Sequence, residues 1–189
     1  SRTGFYMGDT CFRNDGSQIR VRRGNLDLSV SRTSQPFTCQ TPTGGFQTQF
    51  SGADLSTWGR FSQTYGRFEA RIKLPSTTKP GLQGGFWLNP QKQTYGGWPN
   101  SGEIDVAEWW SHWPDHAYPS LHYPGRTGAD TGWDCPIGRP DVFHTYAVEW
   151  SPTQMRFLYD GNTCFTRAWE PDAPLSAPQP FDHAFYNSL

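Results

Sequence analysis

The sequence predicts an all-β domain, and three observations support this. Aromatic residues make up 16% of the 189 residues, the chain contains 20 Gly and 16 Pro, and short apolar runs alternate with turn residues. Aromatic side chains suit a pleated, half-buried surface, whereas Gly and Pro interrupt helices and mark turns. Because no amphipathic helix pattern competes, we expect a two-sheet sandwich or jelly roll, with an eight-stranded barrel as the alternative.

The predicted strands follow one another along most of the chain. They are residues 18–23, 25–31, 65–75, 84–88, 103–110, 117–122, 144–150 and 155–159. Alternation is clearest in 65–75, where Phe68 and Ile72 fall on one face and Arg67 and Glu69 on the other. One face of this strand is therefore expected to be buried and the other to meet water.

Turn residues separate the predicted strands. Asp160-Gly161 follows the last of them and predicts a two-residue hairpin turn, since such turns need positive φ angles. Residues 111–119 and 170–180 are predicted loops. No repeat, linker or charge block divides the chain, so we expect residues 1–189 to form one domain.

Charge and hydropathy exclude two classes of partner. Lys and Arg number 16 against 17 Asp and Glu, which leaves a net charge of -1 and a pI of about 6.5. No basic field is available for nucleic acid or anionic lipid. No apolar run approaches the roughly 18 residues of a membrane-spanning helix. We therefore expect neither nucleic acid nor a membrane as partner.

The four cysteines, Cys11, Cys39, Cys135 and Cys164, favour disulfides over a metal site. They form no C-x-x-C pair, and no His lies at zinc-ligand spacing from them. An even number of widely spaced cysteines is typical of an oxidising compartment, so the protein is expected to be secreted. Among the three connectivities, we favour Cys11 with Cys39 and Cys135 with Cys164; four buried free thiols are the alternative.

The strand 103–110 carries three acids, Glu103, Asp105 and Glu108, among apolar residues. Strand alternation puts Glu108 on the wrong face unless a β-bulge adds a residue after Asp105. Clustered carboxyls cannot all ionise cheaply, and a protonated acid beside a carboxylate is what glycoside cleavage requires. A calcium site and a salt-bridged edge strand are the alternatives, although calcium loops place their acids in turns. Of the later histidines, His122 rather than His144 is expected to line a cleft.

Several tryptophans surround this strand in the sequence. Indole faces stack on sugar rings, so we expect Trp98, Trp87 and Trp113 to face a saccharide. Strand alternation sends Trp109 and Trp110 to opposite faces, so at least one of them is expected to lie in the core.

The motifs together resemble a known family. The segment GEIDVAE follows GFWLNP and Trp98-Pro99, and is flanked by YGRFEARIKLP, FHTYAVEW and FLYDG. In this order they resemble glycoside hydrolase family 16, most of all its bacterial laminarinase-type endo-β-1,3-glucanases. The resemblance implies a concanavalin-like β-jelly roll of two antiparallel sheets with a concave substrate cleft. It also implies that closing strands lie beyond the given sequence.

The resemblance also implies a role for each acid. Glu103 would be the nucleophile, Glu108 the general acid/base and Asp105 the residue that orients Glu103, in a retaining double displacement without cofactor or metal. The two glutamates should lie about 5–5.5 Å apart. The substrate-binding residues expected around them are Trp98, Trp87, His122 and Trp113.

The expected substrate is a laminarin-like polysaccharide cut at internal β-1,3 bonds by a monomeric enzyme. Three alternatives remain open. The first is a family 16 hydrolase of another glycan such as agar, the second a non-catalytic glucan-binding jelly roll, and the third a structural domain without saccharide affinity. Binding needs aromatic surface but not a matched acid pair, so the pair favours the enzyme.

Overall fold

The computed structural model describes residues 6–7, 10–13, 16–41 and 44–189, and its regular structure is almost entirely β. The strands are β1 (Tyr6–Met7), β2 (Thr10–Phe12), β3 (Ile19–Arg22), β4 (Asn25–Leu28), β5 (Ser31–Thr41), β6 (Gly44–Gly52), β7 (Gly66–Ile72), β8 (Gln83–Pro90), β9 (Glu103–Trp110), β10 (Tyr118–His122), β11 (His144–Trp150), β12 (Met155–Tyr159), β13 (Asn162–Arg167) and β14 (Phe185–Ser188). A short 3-10 helix spans Gly128–Asp130. Among the described residues, no helix has the length and apolar character needed to cross a membrane.

The chain forms two compact units, Ser1–Leu55 and Ser56–Leu189. The first contains a sheet of order β1-β2-β6-β5 and the separate hairpin β3-β4. A disulfide between Cys11 and Cys39 joins β2 to β5, which confirms the predicted pairing. The one-domain reading of the whole chain stays a prediction.

Strands β5 and β6 were not predicted from the sequence. Most of β5 is Ser, Thr and Gln with exposed side chains, so it lacks the apolar alternation that indicates a half-buried strand. It also contains Pro36, which lies where the pairing with β6 shifts between Arg32 and Phe37. A bulge is one of the few places where a strand tolerates proline.

The second unit contains two four-stranded antiparallel sheets, of order β10-β9-β8-β14 and β13-β12-β11-β7. We call them the β9 sheet and the β11 sheet. Apolar side chains from both form one core, whose burial provides the main driving force for folding. Its largest fully buried side chains are Trp109, Tyr146, Phe86, Phe157, Phe181 and Phe185.

Local sequence signals fix several elements of this unit as predicted. In β7, Phe68 is buried while Arg67 and Glu69 are exposed, although the strand ends at Ile72 and not at residue 75. The turn between β12 and β13 has φ angles of 49° at Asp160 and 79° at Gly161, as the hairpin prediction requires. The predicted 111–119 loop ends earlier, because β10 begins at residue 118.

Two connections hold the segment that follows β10, residues 123–143. The predicted disulfide between Cys135 and Cys164 ties it to β13. Asp130, which is fully buried, accepts a hydrogen bond of 2.7 Å from Arg167 Nε and one of 2.8 Å from the Tyr123 hydroxyl. Burial opposes its charge, but the hydrogen bonds more than offset this and lower the Asp130 pKa, so it stays ionised at neutral pH.

Replacing Asp130 should therefore destabilise the second unit. Asp130→Ala leaves Arg167 and Tyr123 without their acceptor, and breaking a buried ion pair in this way should lower the free energy of unfolding by about 3 kcal/mol. Denaturation followed by tryptophan fluorescence measures this. The control is Asp141→Ala, which removes an exposed ion pair with Arg139 and should change stability little. Equal midpoints for the two variants would contradict the prediction.

Candidate active site

Strand β9 contains a β-bulge at the predicted place. Phe86 of β8 pairs with Ala107, and the next residue, Trp87, pairs with Asp105, which leaves Val106 without a partner. The pairing of β9 with β10 shifts over the same residues. One extra residue is thus accommodated between Asp105 and the end of the strand, as the acid spacing predicted.

The bulge brings the three acids to one face of the β9 sheet. Ile104, Val106 and Trp109 are buried in the core. Because side chains alternate on either side of the bulge, Glu103, Asp105 and Glu108 point away from the core. Their charges act on one another: Asp105 and Glu108 both raise the pKa of Glu103.

Glu103 and Asp105 each meet a residue from outside β9. The indole N–H of Trp98 donates a hydrogen bond to Glu103. His122 Nε2 lies 2.9 Å from Asp105 Oδ2, and its ring centroid is 5.7 Å from that of Trp98. Trp98 and His122, both predicted from the sequence, therefore lie beside the acids.

Glu108 has a different set of neighbours. The side-chain amide of Gln83, on β8, donates a 2.9 Å hydrogen bond to Glu108 Oε1. Arg126 is fixed by hydrogen bonds of 3.0 Å to Ser120 Oγ and 2.8 Å to Thr131 Oγ1, and its charge lowers the pKa of Glu108. His122, Gln83 and Arg126 thus favour the ionised form of this acid.

Burial is the largest influence on the protonation of the site. It raises the pKa of all three acids, and together with Asp105 it brings that of Glu103 to about 7. Burial also lowers the pKa of His122, against the attraction of Glu103 and Glu108. The site therefore holds protonated and ionised carboxyls side by side near neutral pH, which suits acid/base catalysis.

The remaining predicted aromatic residues, Trp87 and Trp113, have different surroundings. Trp87 is half-buried on β8, level with Asp105. Trp113 is 56% exposed in the loop between β9 and β10, where its ring lies edge-on to that of Tyr118. Its predicted contact with a saccharide stays a prediction.

The two tryptophans at the end of β9 separate as strand alternation predicted. Trp109 is buried in the core with 1% of its surface exposed, whereas Trp110 is 36% exposed.

Sequence reasoning missed three neighbours of Glu108. Gln83 begins a strand that was predicted to start one residue later, and nothing in its surroundings indicates a role. Arg126 and Tyr118 reach the acids only through the pairing of β10 with β9. The position of Tyr118 opposite Glu108 could have been inferred only from the register of these two strands.

A family comparison agrees with this geometry. Residues 9–181 match the model of glycosyl hydrolases family 16. The chain belongs to this family. A beta-glucanase of Rhodothermus marinus is 36% identical over 151 residues, which cover 73% of this chain and 51% of that protein. A glucan endo-1,3-beta-glucosidase of Cryptopygus antarcticus is 36% identical over 126 residues, or 64% and 45% of the two chains.

The fold comparison leads to the same family. The X-ray structure of the laminarinase from Rhodothermus marinus superposes with a TM-score of 0.72 and 29% identity, covering 95% of this chain and 71% of that one. The predicted laminarinase-type resemblance and the all-β jelly-roll class are confirmed. The chain spans about half the length of the two curated relatives.

The hydrogen bond from Gln83 yields a prediction about Glu108. A donor to a carboxylate stabilises its charged form, so Gln83→Leu should raise the pKa of Glu108. The titration of the Glu108 side-chain carbon, followed by ¹³C NMR, measures the shift. Gln154→Leu, in an exposed turn of the other sheet, is the control and should leave the titration unchanged. An unchanged or lower pKa in Gln83→Leu would contradict the prediction.

Proposed function

We propose that this protein is a retaining endo-β-1,3-glucanase that cleaves internal bonds of laminarin-like polysaccharides. The observation that carries the proposal is the β-bulge, which turns Glu108 to the face of Glu103 with Asp105 between them. Retaining glycoside cleavage requires a carboxylate nucleophile and a carboxylic acid on one face, and burial raises the pKa of both glutamates here.

In the first step, the Glu103 carboxylate attacks the anomeric carbon and forms an ester with the sugar. The bond between that carbon and the glycosidic oxygen breaks, and protonated Glu108 gives its proton to this oxygen. The Trp98 indole N–H favours the ionised Glu103 that the attack needs. Protonation of Asp105 would also favour the ionised form of Glu103, because the charge of Asp105 raises the Glu103 pKa.

In the second step, Glu108 is a carboxylate and acts as a base. It takes a proton from water, and the oxygen of that water attacks the anomeric carbon and releases Glu103. Gln83 and Arg126, which favour the charged form of Glu108, support this half of the cycle.

The proposed substrate rests on the relatives and on the aromatic residues. The matched proteins are named as a beta-glucanase, a glucan endo-1,3-beta-glucosidase and a laminarinase. Trp98, which is 63% exposed beside Glu103, offers an indole face to the sugar next to the cut. The two disulfides support action outside the cell.

Glutamine variants test the catalytic pair. Glu103→Gln and Glu108→Gln should each reduce reducing-sugar release from laminarin by at least about 100-fold, because the first removes the nucleophile and the second the proton donor. Glu149→Gln is the matched control, since that glutamate pairs with Arg67 and Arg156 on the β11 sheet. Its rate should stay near that of the wild-type protein.

Agarose and mixed-linkage glucan, assayed in parallel, identify the glycan. Release from agarose alone would contradict the proposed substrate and leave the acid pair in place. If the wild-type protein binds laminarin but releases sugar from none of the three, the proposal of an enzyme is wrong and the chain is a glucan-binding module.

A further inference from the structure

Three aromatic side chains, Trp113, Tyr118 and Trp133, form a group at the edge of the β9 sheet. We call it the β10-edge group. Tyr118 pairs with Glu108 and lies on the same face as His122, four residues further along β10. Its ring centroid is 6.4 Å from that of Trp113 and 6.1 Å from that of Trp133.

The indole of Trp133 is exposed but held in place. It is 64% exposed, and its N–H donates a 2.9 Å hydrogen bond to the Gly128 carbonyl. The neighbouring Thr131 bridges to Ser120 of β10, and Cys135 anchors the segment through its disulfide. A large aromatic surface fixed before binding loses little conformational entropy when it meets a ligand, so it suits a binding role.

The position of the group decides which part of a glucan it would meet. Glu103 lies beside Trp98, whereas Glu108 lies beside Tyr118. A general acid delivers its proton to the oxygen of the leaving sugar, so that sugar lies on the Glu108 side. Resting on the function proposed above, we infer that the β10-edge group binds the neutral glucosyl units on the leaving side of the cut.

A pair of substrates tests this inference. The 4-nitrophenyl glycoside of laminaritriose has a small aryl leaving group, whereas laminarin extends glucosyl units over the β10-edge group. Trp133→Ala should lower kcat/KM on laminarin about tenfold and leave that on the aryl glycoside within about twofold of wild type. Trp133→Phe keeps a ring there and should recover most of the activity.

The control variant is Phe143→Ala. Phe143 is another exposed ring, but it packs against Arg71 of the β11 sheet, so both substrates should be cleaved normally. Unchanged laminarin cleavage by Trp133→Ala, or an equal loss on both substrates, would overturn the inference while the proposed function stands. A wild-type protein that cleaves neither substrate would overturn the proposed function and this inference with it.

A second, independent observation concerns the bulge. Val106 has no partner residue on β8 or β10 and is completely buried. Its carbonyl accepts a 3.0 Å hydrogen bond from the hydroxyl of Tyr159, which reaches across from β12 of the opposite sheet. From this contact we infer that Tyr159 is a positioning residue, which holds the bulge in the shape that aims Glu108.

The energetic reason is the cost of an unpaired buried carbonyl. Without the hydroxyl, the buried Val106 oxygen would lose a hydrogen bond, and the bulge would lose the contact that ties it to the opposite sheet. Relaxation of the bulge shifts the strand by one residue and turns Glu108 away from Glu103. Burial raises the pKa of Tyr159, so the phenol keeps the proton it donates.

Tyr159→Phe removes this one oxygen and tests the role. Cleavage of laminarin needs protonation of a poor leaving group, whereas a 2,4-dinitrophenyl glycoside leaves without it. We expect kcat/KM on laminarin to fall about tenfold and kcat/KM on the dinitrophenyl glycoside of laminaritriose to change less than about twofold. The laminarin loss should appear in kcat, with KM little changed.

Tyr146→Phe is a closely matched control. Its buried hydroxyl has no hydrogen-bond partner among the described residues, and its ring packs edge-on at 4.9 Å against Tyr159. This variant should keep wild-type kcat/KM on both substrates. Equal losses on both substrates in Tyr159→Phe would indicate a structural role only, and unchanged rates would show that the bulge keeps its shape unaided. Either result would overturn the second inference.

Discussion

The site depends on one extra residue in one strand. Side chains of a regular strand alternate between faces, so acids at positions 103, 105 and 108 cannot share a face unless the strand bulges. The bulge leaves Val106 without a partner residue on either neighbouring strand, and a buried carbonyl that loses a hydrogen bond costs free energy. Tyr159 of the opposite sheet supplies the donor. The placement of the three acids on the β9 sheet is therefore coupled to the packing of the two sheets on each other.

Burial and neighbouring polar groups shift the pKa values of the acids in opposite directions. Burial raises the pKa of every acid and so favours protonated carboxyls. The Trp98 N–H and His122 act against this at Glu103, and His122, Gln83 and Arg126 act against it at Glu108. A catalytic pair needs one carboxylate and one acid at the same pH. The opposing effects of burial and of these neighbours hold protonated and ionised carboxyls together in one site.

The segment 123–143, which follows β10, is held by a buried ion pair and a disulfide. Asp130 lies in this segment and accepts a hydrogen bond from Arg167, the last residue of β13. The disulfide between Cys135 and Cys164 joins the same segment to the same strand. These contacts fix the segment that carries Trp133. A loop tied down in this way can present an exposed indole without paying for its ordering when a ligand arrives. The buried polar contacts of Asp130 thus hold in place a segment that presents an exposed indole.

The sequence alone determined the all-β class, the Asp160-Gly161 hairpin and the need for a bulge, because each follows from the period of a strand or from the backbone freedom of a few neighbouring residues. It did not predict β5, because the mostly polar residues of this strand show no alternation of apolar and polar side chains. The tertiary structure decided that Gln83 meets Glu108 and that Tyr159 reaches the bulge. Those contacts join residues 25 and 53 positions apart, and they depend on strand order and register between elements, which local periodicity does not encode.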